Sequence, residues 1–195
     1  MSIVTDDLLW ERMNRAVETI RQRLERAAAA LDAAGIPYAV VGGNAVAIYV
    51  GLVDRGAVRT TRDVDFLLRR NDLARATAVL ERVGFESAQS FGVNMFLDGP
   101  DALPSEAIHI VFAGEKVKAD DPLANPDVTE SERPTTFQVL TLAALVRMKL
   151  TSFRLKDQVH LQDLVRVGLV DATWCDRFPM VLAERLRGIV ANPNA

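Results

Sequence analysis

A stripe of apolar residues runs through the N-terminal part of the chain at intervals of three and four residues. This spacing puts the residues on one side of a helix and predicts a long amphipathic helix over residues 6–34. The stripe consists of Met13, Val17, Ile20, Leu24, Ala27 and Leu31. Gly35 and Pro37 follow the stripe and end the helix. We expect the stripe to pack on a sheet; the alternative is that it forms the seam of a homodimer.

Short apolar runs separated by turn residues follow, with the lengths of strands and short helices. The predicted strands cover residues 38–41, 63–68, 85–91, 93–97 and 107–112. The predicted helices cover residues 44–53, 73–83, 136–153, 156–167 and 173–190. Asp72 is expected to cap the helix at 73–83, and the polar segment 114–134 is expected to be a loop.

The order of these elements favours an α+β fold. It predicts a mixed sheet with helices against it, followed by a C-terminal helical subdomain. We divide the chain into an N-terminal helix at residues 1–37, an α/β core at 38–134 and the helical subdomain at 135–195. A length of 195 residues is sufficient for one hydrophobic core with a small appendage.

Two aspartates interrupt an otherwise apolar strand. Asp63 and Asp65 are two positions apart and therefore share one face of the strand, whereas Val64 and Phe66 take the other face. Carboxylates on such neighbouring positions, roughly 6.7 Å apart at Cα, repel each other unless a cation lies between them. Mg²⁺ favours one or two carboxylates together with phosphate oxygens. The pair therefore predicts a metal site, with a solvent-facing edge strand as the alternative.

A glycine turn precedes the aspartates. Gly42 and Gly43 lie between a predicted strand and a predicted helix, and Asp63 follows Gly43 by 20 residues. Backbone N–H groups at a helix start bind phosphate, although a pair of glycines also serves as a plain tight turn. A dinucleotide-binding fingerprint is disfavoured, because the segment 42–47 lacks the pattern G-x-G-x-x-G.

Together these motifs resemble the nucleotidyltransferase fold of the polymerase-beta type, in particular its minimal, AbiEii-like or uncharacterised bacterial members. The resemblance extends from Tyr38 to Asp163. It implies Mg²⁺- or Mn²⁺-dependent transfer of a nucleoside monophosphate from a nucleoside triphosphate to a hydroxyl of RNA, protein or a small molecule. Asp63 and Asp65 would be catalytic metal ligands in this scheme. The residues that would bind the nucleotide are Gly42, Gly43, Asn44, Arg62 and Lys149.

The chain departs from the family pattern where a third acid is usual. His109 occupies that position, on the face of its strand opposite to Ile108 and Ile110. Three interpretations stay open: His109 acts as the general base, the site has lost catalysis and kept nucleotide binding, or the strand alignment differs. A second departure is His160, which stands where family members often have an acid.

Composition limits the partners and the compartment. The net charge of −3 gives no global basic field for nucleic acid, but a local cluster of Arg55, Arg59, Arg62, Arg69 and Arg70 leaves RNA open as the acceptor. Cys175 is the only cysteine, so no intramolecular disulfide forms. Residues 1–12 carry acidic residues instead of a basic start with an apolar run, and no segment is apolar enough for a membrane span. We expect a cytoplasmic protein.

The alternative function is a catalytically degenerate nucleotide-binding protein on the same fold, such as one partner of a toxin–antitoxin pair. Both functions require the residues at the metal strand and the glycine turn. They differ in what they require of His109, since only the enzyme needs a group that accepts the proton of the attacking hydroxyl.

Overall fold

The structure is a computed structural model, and it describes residues 6–90, 92–99 and 102–192. Within these residues the chain forms a mixed sheet of seven strands in the order β3-β4-β5-β2-β1-β7-β6. The strands are β1 (Tyr38–Val41), β2 (Val64–Leu68), β3 (Glu86–Ser90), β4 (Val93–Leu97), β5 (Ile108–Phe112), β6 (Ser131–Glu132) and β7 (Val139–Leu140). The prediction of an α+β fold with a mixed sheet flanked by helices is confirmed.

Strand β2 lies at the centre of this sheet. It pairs antiparallel with β1 on one side and parallel with β5 on the other. Beyond β5, strands β4 and β3 continue in antiparallel pairs, and beyond β1, strand β7 is parallel to β1 and antiparallel to β6. Val64, Phe66 and Ile108 are almost fully buried on one face, which leaves Asp65 on the other.

Six helices accompany the sheet in the described residues. They are α1 (Asp6–Ala33), α2 (Gly42–Val53), α3 (Leu73–Arg82), α4 (Leu142–Ser152), α5 (Leu155–Arg166) and α6 (Met180–Ala191). Helix α1 packs on α3, whereas α2 packs on strands β1 and β2 and on helices α4 and α5. Helices α4, α5 and α6 pack on one another. The C-terminal helices therefore pack on the helix that begins at the glycine turn.

Several predicted boundaries are wrong near the C-terminal end of the sheet. The predicted helix 136–153 begins only at Leu142, because Val139–Leu140 forms β7 and Thr141 caps α4 through its side chain, which accepts from Ala144 N. Strand β6 lies inside the segment predicted as a loop. The first part of the predicted helix 173–190 is a 3₁₀ turn over Ala172–Arg177.

Asp72 occupies the N-cap position of α3 as expected, but its side chain does not cap the helix. Asp72 lies in a short 3₁₀ turn before α3, and its carboxylate makes no capping hydrogen bond within the described residues. It accepts instead from Arg75, one turn further along the helix, at 3.4 Å. The division of the chain at residue 134 stays a prediction, although β7 joins the central sheet from the C-terminal side of that boundary.

The apolar stripe of α1 packs over only part of its length. Leu24, Ala27 and Leu31 are buried in the core, but Met13 and Val17 are 49% and 46% exposed. The C-terminal half of α1 therefore packs as expected, and the N-terminal half presents its apolar side chains to solvent. Pairing of two copies through this face stays a prediction. In the described part of the chain, no helix has both the length and the hydrophobicity needed to cross a bilayer.

Candidate active site

The turn between β1 and α2 contacts the carboxylate of Asp65 directly. Strand β1 ends at Val41 and α2 begins at Gly42, whose φ of +71° lies in the left-handed region. A Cβ atom on Gly42 would lie 1.9 Å from Asp65 Oδ2. Only glycine allows this approach, because any side chain would occupy the position of the carboxylate. The start of α2 and Asp65 therefore form one site.

Gly43 and Asn44 tie the start of α2 to the segment before β2. A Cβ on Gly43 would come within 2.8 Å of Thr61 Cγ2, so Thr61 occupies the space that a side chain at position 43 would need. The Asn44 side chain donates from Nδ2 to the backbone carbonyl of Asp63 at 2.6 Å. These contacts position the start of α2 against the segment that precedes β2.

Asp63 lies immediately before β2 and is half-buried. Its carboxylate makes no hydrogen bond or ion pair with the residues that the structure describes, and its charge raises the pKa of Asp65. The sequence prediction that the two aspartates are close neighbours agrees with this interaction. Two carboxylates of which one lacks a protein partner are suited to share a cation.

The electrostatic environment of Asp65 combines the negative charge of Asp63 with several basic side chains. Crowding by protein atoms removes water from the carboxylate and raises its pKa, even though 23% of the side-chain surface stays accessible. Lys149, His109 and Lys156 oppose this effect, in that order of strength, and Asp63 adds to it. Asp65 is therefore the residue at which the elements of the site converge.

His109 lies beside Asp65 on the neighbouring strand. The two residues are partners in the parallel β2/β5 pair, and His109 Nδ1 is 3.8 Å from Asp65 Oδ1. His109 Nε2 is 3.2 Å from the backbone oxygen of Pro104. A carbonyl oxygen only accepts hydrogen bonds, so we assign the proton of the neutral ring to Nε2. The basic lone pair then belongs to Nδ1, on the side of Asp65.

Lys149 reaches the site as part of a buried ion pair. Its Nζ atom lies 3.0 Å from Asp157 Oδ1, and both side chains are almost completely buried. Burial lowers the pKa of Lys149, against the attraction of Asp157 and Asp65. Burial alone would raise the pKa of Asp157, but hydrogen bonds from Arg154, Lys149 and Ser152 outweigh it and hold that pKa below its usual range.

The tight turn between α4 and α5 brings Lys149 and Asp157 together. Phe153 ends α4 with a φ of 44°, a left-handed conformation that is rare for a bulky residue. Arg185 of α6 donates to the backbone oxygens of Leu150 and Thr151 at 2.6 and 2.9 Å, and its guanidinium lies 5.0 Å from the centre of the Phe153 ring. Arg185 supports this turn, and no sequence signal pointed to it.

Two further residues of α5 lie near the site. Lys156 is exposed, and its charge acts on Asp65. His160 has its pKa lowered to about 4, first by burial and then by Lys149, so it is neutral near pH 7. Its Nδ1 atom is buried and has no hydrogen-bond partner among the described residues. At this position the chain therefore carries a neutral group in place of the acid that is usual in the family.

The arginine cluster that the sequence indicated divides into two groups. Arg69 and Arg70 follow the end of β2 and form ion pairs with Asp127 and Glu115. Arg62 is exposed and has no ion pair within the described chain, and Arg59 pairs with Asp163 of α5. Only the arginines before β2 belong to the end of the strand that carries the aspartates.

The residues present fit a divalent cation that takes part of its ligands from a substrate. In residues 6–90, 92–99 and 102–192, no three His, Cys, Asp or Glu side chains are arranged to hold a metal ion. Asp63 and Asp65 nevertheless supply the carboxylate oxygens that Mg²⁺ takes alongside phosphate and water. The glycine at position 42, which leaves room for the Asp65 carboxylate, keeps that donor group at the helix start.

A family described as "uncharacterised nucleotidyltransferase" matches residues 9–120, more than half of the chain. The protein belongs to this nucleotidyltransferase family. The match contains the glycine turn, both aspartates and His109. No curated protein sequence matches the chain significantly. The resemblance inferred from the sequence motifs is thereby confirmed at the level of the superfamily.

Solved structures of nucleotidyltransferases share the fold. The solution structure of the antibiotic-resistance factor ANT(2″)-Ia is 14% identical, with a TM-score of 0.54 over 90% of this chain and 93% of that chain. The crystal structure of ANT(2″)-Ia in complex with adenylyl-2″-tobramycin is 15% identical, with a TM-score of 0.51 over 91% and 99%. A putative nucleotidyltransferase from H. pylori is 16% identical, with a TM-score of 0.50 over 91% and 78%. At these identities the likeness establishes the fold alone.

The close approach at Gly42 makes a testable prediction. Gly42→Ala should cost about 1–2 kcal/mol for the left-handed backbone, plus about 1–3 kcal/mol because the methyl group overlaps the Asp65 carboxylate. Gly35→Ala is a matched control, since Gly35 has a φ of +60° but no described atom lies within 4 Å of the position that its methyl group would take. Urea unfolding of both variants measures the difference. Equal losses of stability would contradict the contact between Gly42 and Asp65.

Proposed function

We propose that the protein is a Mg²⁺-dependent nucleotidyltransferase, which transfers a nucleoside monophosphate from a nucleoside triphosphate to a hydroxyl acceptor. The observation that carries this proposal is the convergence on Asp65: the glycine turn touches it, His109 lies 3.8 Å from it, and Lys149 acts on its charge. Membership of a nucleotidyltransferase family supports the reaction class. One protein of the same fold, crystallised with adenylyl-2″-tobramycin, holds a nucleotidylated small molecule.

Some residues of the proposed site would hold the metal, and others would bind the triphosphate. Asp63 and Asp65 would hold Mg²⁺ or Mn²⁺, which polarises phosphoryl oxygens and neutralises the charge that develops during transfer. Backbone N–H groups of Gly42, Gly43 and Asn44 bind phosphate oxygens at the start of α2. Lys149 contributes positive charge from within the protein, and Asp157 keeps its ammonium group fixed in place.

Arg62 and Lys156 add mobile positive charge at the surface. Both side chains are exposed. Lys156 acts on Asp65, and Arg62 directly precedes Asp63 in the chain. Exposed cations at the mouth of a phosphate site neutralise the β- and γ-phosphates and the pyrophosphate that leaves. We assign both residues to nucleotide binding on this basis.

His109 is the proposed general base. Its Nδ1 atom accepts the proton of the acceptor hydroxyl while the hydroxyl oxygen attacks the α-phosphorus and pyrophosphate leaves. The bond from Nε2 to the Pro104 carbonyl holds the ring orientation and directs basicity to Nδ1. In this role His109 takes the place of the third acid of the family.

The second candidate is a degenerate nucleotide-binding protein. Two observations favour it: His109 replaces an acid, and no third acidic ligand lies with Asp63 and Asp65 among the described residues. Labelled nucleoside triphosphate with Mg²⁺ or Mn²⁺ distinguishes the candidates. The enzyme transfers label to an acceptor in a cell extract and releases pyrophosphate. The degenerate protein binds the nucleotide and releases none.

Substitution of His109 tests the proposed base. His109→Ala should lower turnover about 100-fold or more, the typical contribution of a general base, and leave nucleotide affinity within a factor of about two. His109→Asp restores the usual acid and should retain turnover. Rates from pyrophosphate release and affinities from calorimetry separate the two effects. Full turnover in His109→Ala would contradict the role of the ring as the base.

A further inference from the structure

We propose that the cavity between residues 56–59 and the end of α5 binds a phosphate group of the acceptor substrate. The cavity has a volume of about 310 Å³. Its lining residues are Gly56, Ala57, Val58, Arg59, Asp163, Arg166 and Val167. The role as an acceptor site rests on the proposed function, whereas the ability to bind phosphate follows from the cavity itself.

Two arginines in this cavity share a single carboxylate. Arg59 donates from Nε to Asp163 Oδ1 at 3.0 Å, and Arg166 bonds to the same oxygen. The Asp163 side chain is only 7% exposed, whereas Arg59 and Arg166 are 57% and 39% exposed. Asp163 is the only acid among the described residues of the lining, so the cavity carries an excess positive charge. The buried carboxylate fixes two guanidinium groups that stay accessible to solvent.

A guanidinium has five N–H donors, and each arginine commits only a minority of them to Asp163. The remaining donors suit a tetrahedral oxyanion, because the planar fork binds phosphate with two parallel hydrogen bonds. Arg69 and Arg70 differ in this respect. Each has a carboxylate of its own, and each forms two hydrogen bonds with it.

The cavity is built from two chain segments that also contribute to the proposed catalytic centre, the segment before β2 and helix α5. Asp163 follows Asp157 by six residues on α5, which is about 9 Å along a helix. Arg59 precedes Asp63 by four residues, in the segment that also contains Thr61, which packs under Gly43. The proposal places the hydroxyl of the acceptor at Asp65 and a phosphate group of the same molecule in this cavity.

The phosphate has two chemical sources, an RNA strand and a phosphorylated small molecule. The experiment measures binding of inorganic phosphate and of a short single-stranded RNA to the full chain by calorimetry. Arg59→Gln and Arg166→Gln should each weaken phosphate binding about tenfold, as expected for loss of a charge-assisted hydrogen bond. Arg70→Gln is the matched control and should change nothing. RNA binding that is tighter than phosphate binding and depends on Arg59 identifies the strand as the source; binding of phosphate alone identifies the small molecule.

Two comparisons keep this test separate from the proposed function. Asp65→Asn should lose binding of Mg²⁺ and nucleoside triphosphate but keep phosphate binding at the cavity. Arg59→Gln should keep binding of Mg²⁺ and nucleoside triphosphate but weaken phosphate binding at the cavity. Arg59→Lys keeps the charge without the fork and should give an intermediate loss. Thermal unfolding verifies that each variant is folded. Unchanged phosphate affinity in both Arg59→Gln and Arg166→Gln, or an equal loss in Arg70→Gln, overturns the proposal.

Discussion

Asparagine at position 65 should abolish nucleotide transfer, with a loss of about three orders of magnitude in rate, on the order of 4 kcal/mol. The carboxylate of Asp65 is a proposed metal ligand. The glycine turn contacts it, His109 lies beside it, and the charge of Lys149 acts on it. An amide keeps the shape of the side chain but not the charge that holds a divalent cation. Asp63→Asn should have the same effect, because the carboxylates of Asp63 and Asp65 are proposed to hold the same cation.

Stability distinguishes this loss from misfolding. Burial raises the pKa of Asp65, so the charged carboxylate is a cost to the folded protein. The neutral amide should therefore leave the free energy of unfolding unchanged or slightly higher in the absence of metal. Pyrophosphate release measures turnover, and thermal unfolding measures stability. Asp32→Asn is the control, because Asp32 forms an ion pair with Arg133 and is not part of the proposed metal site. Normal turnover in Asp65→Asn would falsify the proposed metal site.

Alanine at position 157 should destabilise the fold by about 3–5 kcal/mol, the usual cost of removing one partner of a buried ion pair. Lys149 is 5% exposed and would keep its positive charge with Asp65 as the remaining negative neighbour. Activity should fall as well, because the position of the ammonium group depends on Asp157. Urea unfolding at pH 7 measures the change in free energy.

The pH dependence of this variant identifies the cause. Burial already lowers the pKa of Lys149 in the folded protein, and loss of Asp157 lowers it further. Between that pKa and the unfolded value near 10.4, the unfolded chain binds more protons, so stability rises with pH. The stability of Asp157→Ala should therefore recover partly at alkaline pH. Adding Lys149→Met removes the buried charge and should recover stability at pH 7; failure of both rescues would contradict the ion pair.

The sequence predicted correctly those features that depend on residues close together in the chain. Strand β1 was predicted residue for residue, because its apolar run is bounded by Pro37 and Gly42. Alternation along a strand also gave the faces of Asp65 and His109, which the structure places side by side. Strand β7 was missed, since two residues carry no periodicity and Val139 is held by pairing with Val40.

Long-range contacts explain what the sequence did not reveal about the site. Gly42 comes close to Asp65 because β1 and β2 pair antiparallel with Val41 opposite Asp65, and spacing along the chain does not determine that pairing. Arg59 meets Asp163 across 104 residues, and Arg185 reaches Leu150 across 35. Surface arginines have no sequence pattern that identifies their partners. The sequence could indicate a cluster of arginines before β2. Only the fold shows that Arg69 has a carboxylate of its own, whereas Arg59 shares Asp163 with Arg166.

The central position of β2 has a consequence for how this protein moves. Strand β2 is fourth of seven in the sheet and is hydrogen-bonded on both edges. Amide hydrogens in such a strand exchange with solvent only when the whole domain opens, whereas exposed loops and helix ends open locally at little cost. Asp65 therefore stays in place on the time scale of turnover. Any rearrangement that admits substrates falls to elements outside the sheet, the segment 54–62 and the first turn of α5.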